Sequence, residues 1–259
     1  MQEITIQGIL FDQKSSFQKG PAKAPPLIRE ALYSDSANMF TEDLQDVAAM
    51  DLNDKGDFVI DDYFEIETIS RTNLENKGKL LTLGGDHSIT YPIIKAHHEQ
   101  YPVLDMLHID AHGDLYDEFE GDKYSHACPF ARIMEDRLAV RLVQVGIRTL
   151  NPHQREQAEK YKVEVHQMKN LDLTAIRKFE NPLYISLDMD AFDPAFAPGV
   201  SHHEPGGLSS RQVIDLIQNL DANIIGADIV EYNPDKDFHN MTAYLAAKMM
   251  KEILAKMTL

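Results

Sequence analysis

The chain has 259 residues, of which 43% are hydrophobic and 26% charged, the composition of an ordinary globular protein with a sizeable core. Its formal net charge of -17 argues against nucleic acid and anionic membranes as partners, because both carry charge of the same sign. The single cysteine, Cys128, excludes a disulfide framework and a thiolate metal site.

The N-terminal segment Met1–Gln7 lacks the basic and apolar regions of a secretory signal peptide. No apolar stretch approaches the roughly 20 residues that a membrane span requires. Together with the single cysteine, these features lead us to expect a protein of the reducing cytoplasm.

Apolar runs typical of buried strands alternate with amphipathic stretches along the chain. The predicted strands are Ile4–Leu10, Asp46–Met50, Leu80–Leu83, Leu104–Ile109, Val140–Gly146, Val163–His166, Leu183–Leu187 and Ile224–Val230. The predicted helices are Leu27–Tyr33, Ile89–Glu99, Ala127–Glu135, His153–Tyr161, Ser209–Asn219 and Met241–Met257. This alternation predicts an α/β fold with a mostly parallel central sheet covered by helices on both faces. No repeat or linker divides the chain, so we expect a single domain over residues 1–259.

Three short blocks rich in aspartate and histidine follow or end predicted strands. Their potential metal ligands are His87, Asp110, His112, Asp114, Asp188 and Asp190. The carboxyl ends of parallel strands are where ligands collect in such sheets, and residues two apart on a strand point to the same face. Asp86 is set aside, because it is equally explained as a helix N-cap or as a residue that orients His87.

Mostly carboxylate ligands, with a minority of imidazole and no thiolate, favour Mn²⁺ or Mg²⁺ over structural zinc. Four ligand carboxylates balance two divalent ions, so we expect two metals that share Asp110 and Asp188. Metal coordination lowers the pKa of bound water from about 15.7 towards about 7, which supplies a nucleophile at neutral pH. The blocks therefore predict a hydrolase with two metal ions.

The motifs Gly-Gly-Asp86-His-Ser, Asp110-Ala-His-x-Asp and Ser186-x-Asp-x-Asp-x-x-Asp-Pro resemble the signatures of the ureohydrolase family. That family includes arginase, agmatinase and formiminoglutamase. Residues 16–31, 116–127, 199–207 and 226–234 are most similar to its plant-type arginase/agmatinase branch. The resemblance covers nearly the whole chain and implies a three-layer αβα sandwich, two Mn²⁺ ions and assembly into homo-oligomers, trimers or hexamers.

The resemblance also implies a role for each site residue. His87, Asp110, Asp114 and Asp188 would hold one manganese, and Asp110, His112, Asp188 and Asp190 would hold the other. Glu231 would bind a small cationic guanidino substrate, and His126 would shuttle protons at the mouth of the site. Asp114 would also accept a hydrogen bond from the water-derived nucleophile.

The reaction implied is hydrolysis of a guanidinium carbon to urea and an amine, with L-arginine favoured and agmatine as the alternative. Further substrate contacts are expected from Ser125, His202 and Asp122. Asp122 stands where the plant-type pattern has asparagine, and it would repel a substrate carboxylate if it faced the pocket and Lys123 did not offset its charge. His202 stands where many arginases and agmatinases have threonine.

Other hypotheses remain open at this point. Another guanidino compound could be the substrate, or the chain could be a non-catalytic paralogue that binds one. A metal-dependent phosphoesterase would need a basic phosphate clamp, which the blocks lack. A zinc deacetylase would need only one metal, so it would leave some of the potential ligands unused.

His108 lies within an apolar predicted strand. We therefore expect it to be a buried, hydrogen-bonded residue and not a ligand.

Overall fold

A computed structural model describes residues 3–74 and 78–258. The start of the N-terminal segment interpreted above, Met1 and Gln2, lies outside them. In chain order the elements are β1 (Ile4–Leu10), α1 (Ala24–Leu32), β2 (Leu52–Val59), α2 (Glu65–Asn73), β3 (Lys79–Leu83), α3 (Thr90–Gln100), β4 (Asp105–Ile109), α4 (Pro129–Glu135), β5 (Arg141–Ile147), α5 (Pro152–Tyr161), β6 (Glu164–Gln167), β7 (Leu183–Asp188), α6 (Ser210–Gln218), β8 (Ile224–Val230) and α7 (Met241–Met257).

The eight strands form one parallel sheet in the order β2-β1-β3-β8-β7-β4-β5-β6. Two hydrophobic clusters cover its faces, one including residues of α1, α6 and α7 and the other residues of α2, α3 and α4. The α/β, three-layer αβα prediction is therefore confirmed. Within the described residues, no helix is long and apolar enough to cross a bilayer.

The second strand was predicted in the wrong place. Asp46–Met50 is not a strand, because the Asp46 carboxylate caps a short 3-10 helix, Val47–Ala49, by accepting the Ala48 N–H at 3.0 Å. The strand that pairs with β1 is Leu52–Val59, and much of it is exposed at the sheet edge. An edge strand needs few apolar residues, so its composition gave no strand signal.

Four neighbouring strands carry the predicted site residues. In the sheet β3, β8, β7 and β4 lie side by side and are fully buried. His87 follows β3, Glu231 follows β8, Asp188 ends β7 and Asp110 follows β4. Because all strands are parallel, the four side chains emerge at one edge of the sheet.

Candidate active site

The turn after β3 packs against Phe11, the residue that follows β1, and this contact positions His87. An added Cβ at Gly85 would lie 1.7 Å from the Phe11 carbonyl oxygen, and the Asp86 N–H donates to that oxygen at 2.9 Å. Only glycine fits there. The Asp86 carboxylate then caps the short helix His87–Ile89 by accepting the Ser88 N–H at 3.1 Å.

Asp86 also anchors the N-terminal loop over the site. Its Oδ2 accepts the Lys14 N–H at 2.9 Å. Burial, reinforced by the charge of Glu231, raises the pKa of Asp86 to about 6. The first alternative considered for this residue, an N-cap, is therefore realised, and the carboxylate in addition holds the segment that carries Ser16.

One nitrogen of His87 lies among three carboxylates. Its buried Nδ1 is 3.2 Å from an oxygen of Asp110, 3.2 Å from one of Asp114 and 3.1 Å from one of Asp188. Within the described residues this nitrogen forms no hydrogen bond, while Nε2 is 2.9 Å from the Ser186 hydroxyl. A buried nitrogen without a partner, facing three carboxylates, is the arrangement of ligands around a cation.

A second group lies beside the first. Atoms of Asp110, His112 and Asp190 lie within 4.8 Å of one another, and His112 Nδ1 is 3.0 Å from Asp190 Oδ2. Burial and the nearby Asp110 and Asp190 carboxylates raise the pKa of Asp188. Burial likewise raises the pKa of Asp190 to about 6. Carboxylates crowded in this way repel one another, and two divalent ions would neutralise their charge.

His108 and Phe130 complete the surroundings of Asp110. The fully buried His108 has its Nε2 2.7 Å from Asp110 Oδ2, accepts the Gln144 side-chain N–H at Nδ1 over 3.0 Å, and stacks on Phe130 with ring centroids 3.7 Å apart. The sequence indicated a buried, hydrogen-bonded histidine but not its partner. The spacing His108-x-Asp110 along one strand face was the available signal.

Glu231 and His126 form a buried pair next to the metal cluster. Glu231 Oε1 is 2.9 Å from His126 Nδ1 and accepts the His87 N–H at 2.9 Å. Burial raises the pKa of Glu231, but the His126 charge and hydrogen bond outweigh it, so the pKa is lowered. The Glu231 carboxylate is therefore ionised and can bind a cationic group of a ligand.

Ser16 holds the other side of the His126 ring. Its N–H donates to Nε2 at 3.1 Å, and its hydroxyl is 2.7 Å from the same atom. Burial lowers the pKa of His126, yet Glu231 raises it to about 9 overall. The Nδ1 proton lies towards Glu231, and Nε2, beside Ser16, is the nitrogen at which the ring gains or loses its second proton. Asp114 and Glu231 both have positive φ angles, 45° and 62°, as residues at functional sites often do.

A cavity of about 250 Å³ opens onto this cluster. Its lining residues are Ser16, His112, Asp114, Tyr116, Phe119, His126, Ala127, Thr149, Gln154, Asp188, Asp190, His202, Glu204 and Glu231. His202 lies between His126 and His112, with ring centroids at 5.5 and 5.7 Å. Within the described part of the chain, none of the lining residues is a lysine or arginine, so the cavity suits a cation.

Ser125 and Asp122 lie outside this lining. Ser125 is buried, and its hydroxyl accepts the Ala127 N–H at 3.4 Å. Asp122 pairs with Lys14 at 2.7 Å and accepts the Tyr124 N–H at 2.8 Å. The charge of Asp122 is thus offset by Lys14, a residue that the sequence analysis did not consider beside Lys123. Burial raises the pKa of the Cys128 thiol to about 12, so the thiol is not ionised at neutral pH and is a poor nucleophile.

Comparison with known proteins agrees with this geometry. The model of the arginase family matches residues 2–255. The mitochondrial arginase of Medicago truncatula is 44% identical over 98% of this chain and 82% of its own length. The chain belongs to the arginase family. The predicted ureohydrolase-family resemblance to the plant-type branch, and the predicted enzyme class, are confirmed.

Solved structures show the same relationship. An arginase from Medicago truncatula superimposes with a TM-score of 0.92 at 42% identity, covering 99% of this chain and 87% of the other. The agmatine ureohydrolase of Thermoplasma volcanium gives 0.85 at 30% identity, with 98% and 89% covered. Enzymes of the arginase family are binuclear metal hydrolases, and the His/Asp cluster of this chain can bind metal.

The expected cytoplasmic location is contradicted by the relatives. Arginase 2 of Arabidopsis thaliana, 43% identical over 98% of this chain and 80% of its own length, is described as chloroplastic or mitochondrial. The Medicago relative is described as mitochondrial. The inference was wrong because few cysteines indicate only that a protein is not built on disulfides, and this does not identify a compartment.

Proposed function

We propose that this member of the arginase family hydrolyses the guanidinium group of L-arginine to urea and L-ornithine. The observation that carries the proposal is the ionised Glu231, 2.9 Å from His126, in an acidic cavity that also contains the His/Asp cluster. A carboxylate can bind a guanidinium through paired, charge-assisted hydrogen bonds. Its Oε1 already accepts two protein hydrogen bonds, which fixes the carboxylate for such a pairing.

The metals proposed are two Mn²⁺ ions, because the ligands are oxygen and imidazole. The site around the unpartnered His87 nitrogen, with Asp110, Asp114 and Asp188, would hold one. The site of His112 and Asp190 would hold the other and share Asp110 and Asp188. Bound there, the ions would supply a nucleophile derived from water at neutral pH.

The protein side chains would orient the substrate and move protons. Glu231 would place the guanidinium carbon over the metal cluster, and Asp114 would accept a hydrogen bond from the nucleophile. His126, between Glu231 and Ser16, would deliver a proton to the leaving amine at the cavity. His202 would contact the substrate from the cavity wall. Asp122, paired with Lys14, would not repel a substrate carboxylate.

Agmatine is the second candidate substrate. It differs from arginine by lacking a carboxylate, and no cationic side chain among the described residues lines the cavity to receive one. Neutral donors such as the Ser16 hydroxyl would have to bind the carboxylate of arginine. We also propose that the chain acts as one domain and forms homo-oligomers, trimers or hexamers, which light scattering would test.

The test is urea release from arginine and agmatine by the manganese-loaded protein and its Glu231→Gln variant. We expect release from the parent protein and a loss of at least about 100-fold in kcat/KM in the variant, because the guanidinium loses its ionic partner. Glu118→Gln is the matched control, since Glu118 is exposed and does not line the cavity. Equal activity of the parent protein and Glu231→Gln would refute the role of Glu231.

A further inference from the structure

One acidic side chain in the cavity has no function in the mechanism above. Glu204 lines the cavity and is partly exposed. Within the described residues, its carboxylate forms no hydrogen bond or ion pair. The other cavity carboxylates take part in the metal cluster or, for Glu231, in the pair with His126. This carboxylate is therefore available to a ligand that enters the acidic cavity.

The backbone at Glu204 is held on both sides. Its carbonyl oxygen accepts two hydrogen bonds from Arg148, at 2.9 Å from Nε and 2.6 Å from Nη2. Arg148 Nη2 also donates to the carbonyl oxygen of the metal-cluster residue Asp190 at 2.8 Å. Two residues beyond Glu204, the Gly206 N–H donates to Asp193 at 2.7 Å. The position of Glu204 is therefore fixed relative to the metal cluster.

The groups near Glu204 also favour a hydrogen-bond donor in the ligand. Arg148 donates to backbone carbonyls of residues 146, 190, 191, 192 and 204, so it binds backbone and not the Glu204 carboxylate. The Thr149 hydroxyl lines the same cavity and donates to the Ala111 carbonyl at 3.2 Å, which leaves its oxygen as an acceptor. An acidic and an accepting group together suit an ammonium ion.

We infer that Glu204 binds the ammonium group at the end of the substrate away from the guanidinium. This inference rests on the proposed function and names the chemical feature that the site selects. A guanidino substrate with a distal amine carries positive charge at both ends. Glu231 then binds the guanidinium, and Glu204 binds the ammonium. Glu204 is a specificity-determining residue, because it acts on the end of the substrate that does not react.

The test compares three substrates that share the guanidinium but differ at the distal end: agmatine, with an ammonium; arginine, with an ammonium and a carboxylate; and γ-guanidinobutyrate, with a carboxylate alone. In Glu204→Gln we expect the KM for agmatine to rise roughly 10- to 100-fold, which is what loss of a charge-assisted hydrogen bond gives. The kcat should change less than about threefold, because the reacting end is untouched. For γ-guanidinobutyrate the KM should stay the same or fall.

Glu118→Gln serves again as the control, since it removes the same charge from an exposed loop. It should leave all three KM values within about twofold, because exposed charges are screened by salt. An unchanged KM for agmatine in Glu204→Gln would overturn the inference. So would an equal rise of KM for all three substrates, which would indicate a general distortion of the cavity.

A binding measurement separates this inference from the proposed reaction. Calorimetric titration with 1,4-diaminobutane requires no turnover, and its affinity should fall roughly 10- to 100-fold in Glu204→Gln but not in Glu118→Gln. If the parent protein released no urea from any substrate, the proposed function would fail, while this difference in diamine affinity would still support an ammonium site at Glu204. Equal diamine affinity in the parent protein and Glu204→Gln would refute that site.

Discussion

Removal of the hydrogen bond between His108 and Asp110 should weaken metal binding without removing any proposed ligand. The His108 Nε2 is 2.7 Å from Asp110 Oδ2, both side chains are fully buried, and Gln144 donates to the other ring nitrogen. This pattern places the ring proton on Nε2, so His108 fixes the Asp110 carboxylate that both metal sites would share. In His108→Leu, Asp110 keeps its position in the chain but loses this donor.

Loss of a partner that orients a metal ligand typically lowers metal affinity by roughly 10- to 100-fold, which equals about 1.4 to 2.7 kcal/mol. Without metal, His108→Leu should also lower the free energy of unfolding by about 1 to 3 kcal/mol, because Asp110 is left buried with fewer donors. Calorimetric Mn²⁺ titration of the metal-stripped protein measures the first effect, and urea denaturation in EDTA measures the second.

His108→Gln is the matched variant, since its side-chain amide can still donate to Asp110. We expect it to recover most of the lost affinity, whereas a variant that only filled the space would not. If His108→Leu bound two Mn²⁺ ions as tightly as the parent protein, Asp110 would not depend on His108 for its orientation, and the reasoning would be refuted.

Three further predictions concern stability. Gly85→Ala should unfold the turn that carries His87 or lower the free energy of unfolding by more than about 3 kcal/mol, since its Cβ would lie 1.7 Å from the Phe11 carbonyl oxygen. A denaturation curve like that of the parent protein would contradict this prediction. Burial lowers the pKa of His97 to about 4. Between pH 6.5 and 4 the unfolded chain therefore binds a proton that the folded chain does not, and the free energy of unfolding falls as the pH is lowered. The free energy of unfolding should fall by about 2 to 3 kcal/mol from this cause by pH 4.5. The His97→Leu variant should lack this part of the fall when unfolding is measured at pH 7 and at pH 4.5 in EDTA. Saturating Mn²⁺ should raise the melting temperature of the stripped protein through the His/Asp cluster, and Asp188→Asn should lose most of this rise; an equal rise in both would argue against Asp188 as a ligand.

The sequence allowed the central part of the fold to be predicted because the relevant strands are buried on both faces. β3, β4, β7 and β8 are mostly apolar, and the clusters of polar residues that follow or end them stand out. The edge strand β2 was misplaced because half-exposed strands need no apolar pattern. The helix α2 was missed, although its Ile66 packs in the core, because most of its other residues are polar.

In the site, the sequence predicted what short spacings indicate and missed the contacts between distant parts of the chain. The spacing of the aspartate and histidine residues indicated the metal cluster, because those residues lie close together in the chain and at strand ends. The contact between Ser16 and His126 joins residues 110 positions apart, and the pair Lys14–Asp122 joins residues 108 apart. Spacing along the chain cannot indicate such contacts. For this reason the sequence left open whether Asp122 faces the pocket, whereas the structure pairs its carboxylate with Lys14 of the N-terminal loop.

The most direct measurement is urea release from arginine while Mn²⁺ is added stepwise to the metal-stripped protein. We predict little release at one equivalent per chain and full release once the second equivalent has bound, since the proposed metal sites would share Asp110 and Asp188. Full activity with a single equivalent, or no urea at any manganese concentration, would contradict a guanidinium hydrolase with two metal ions.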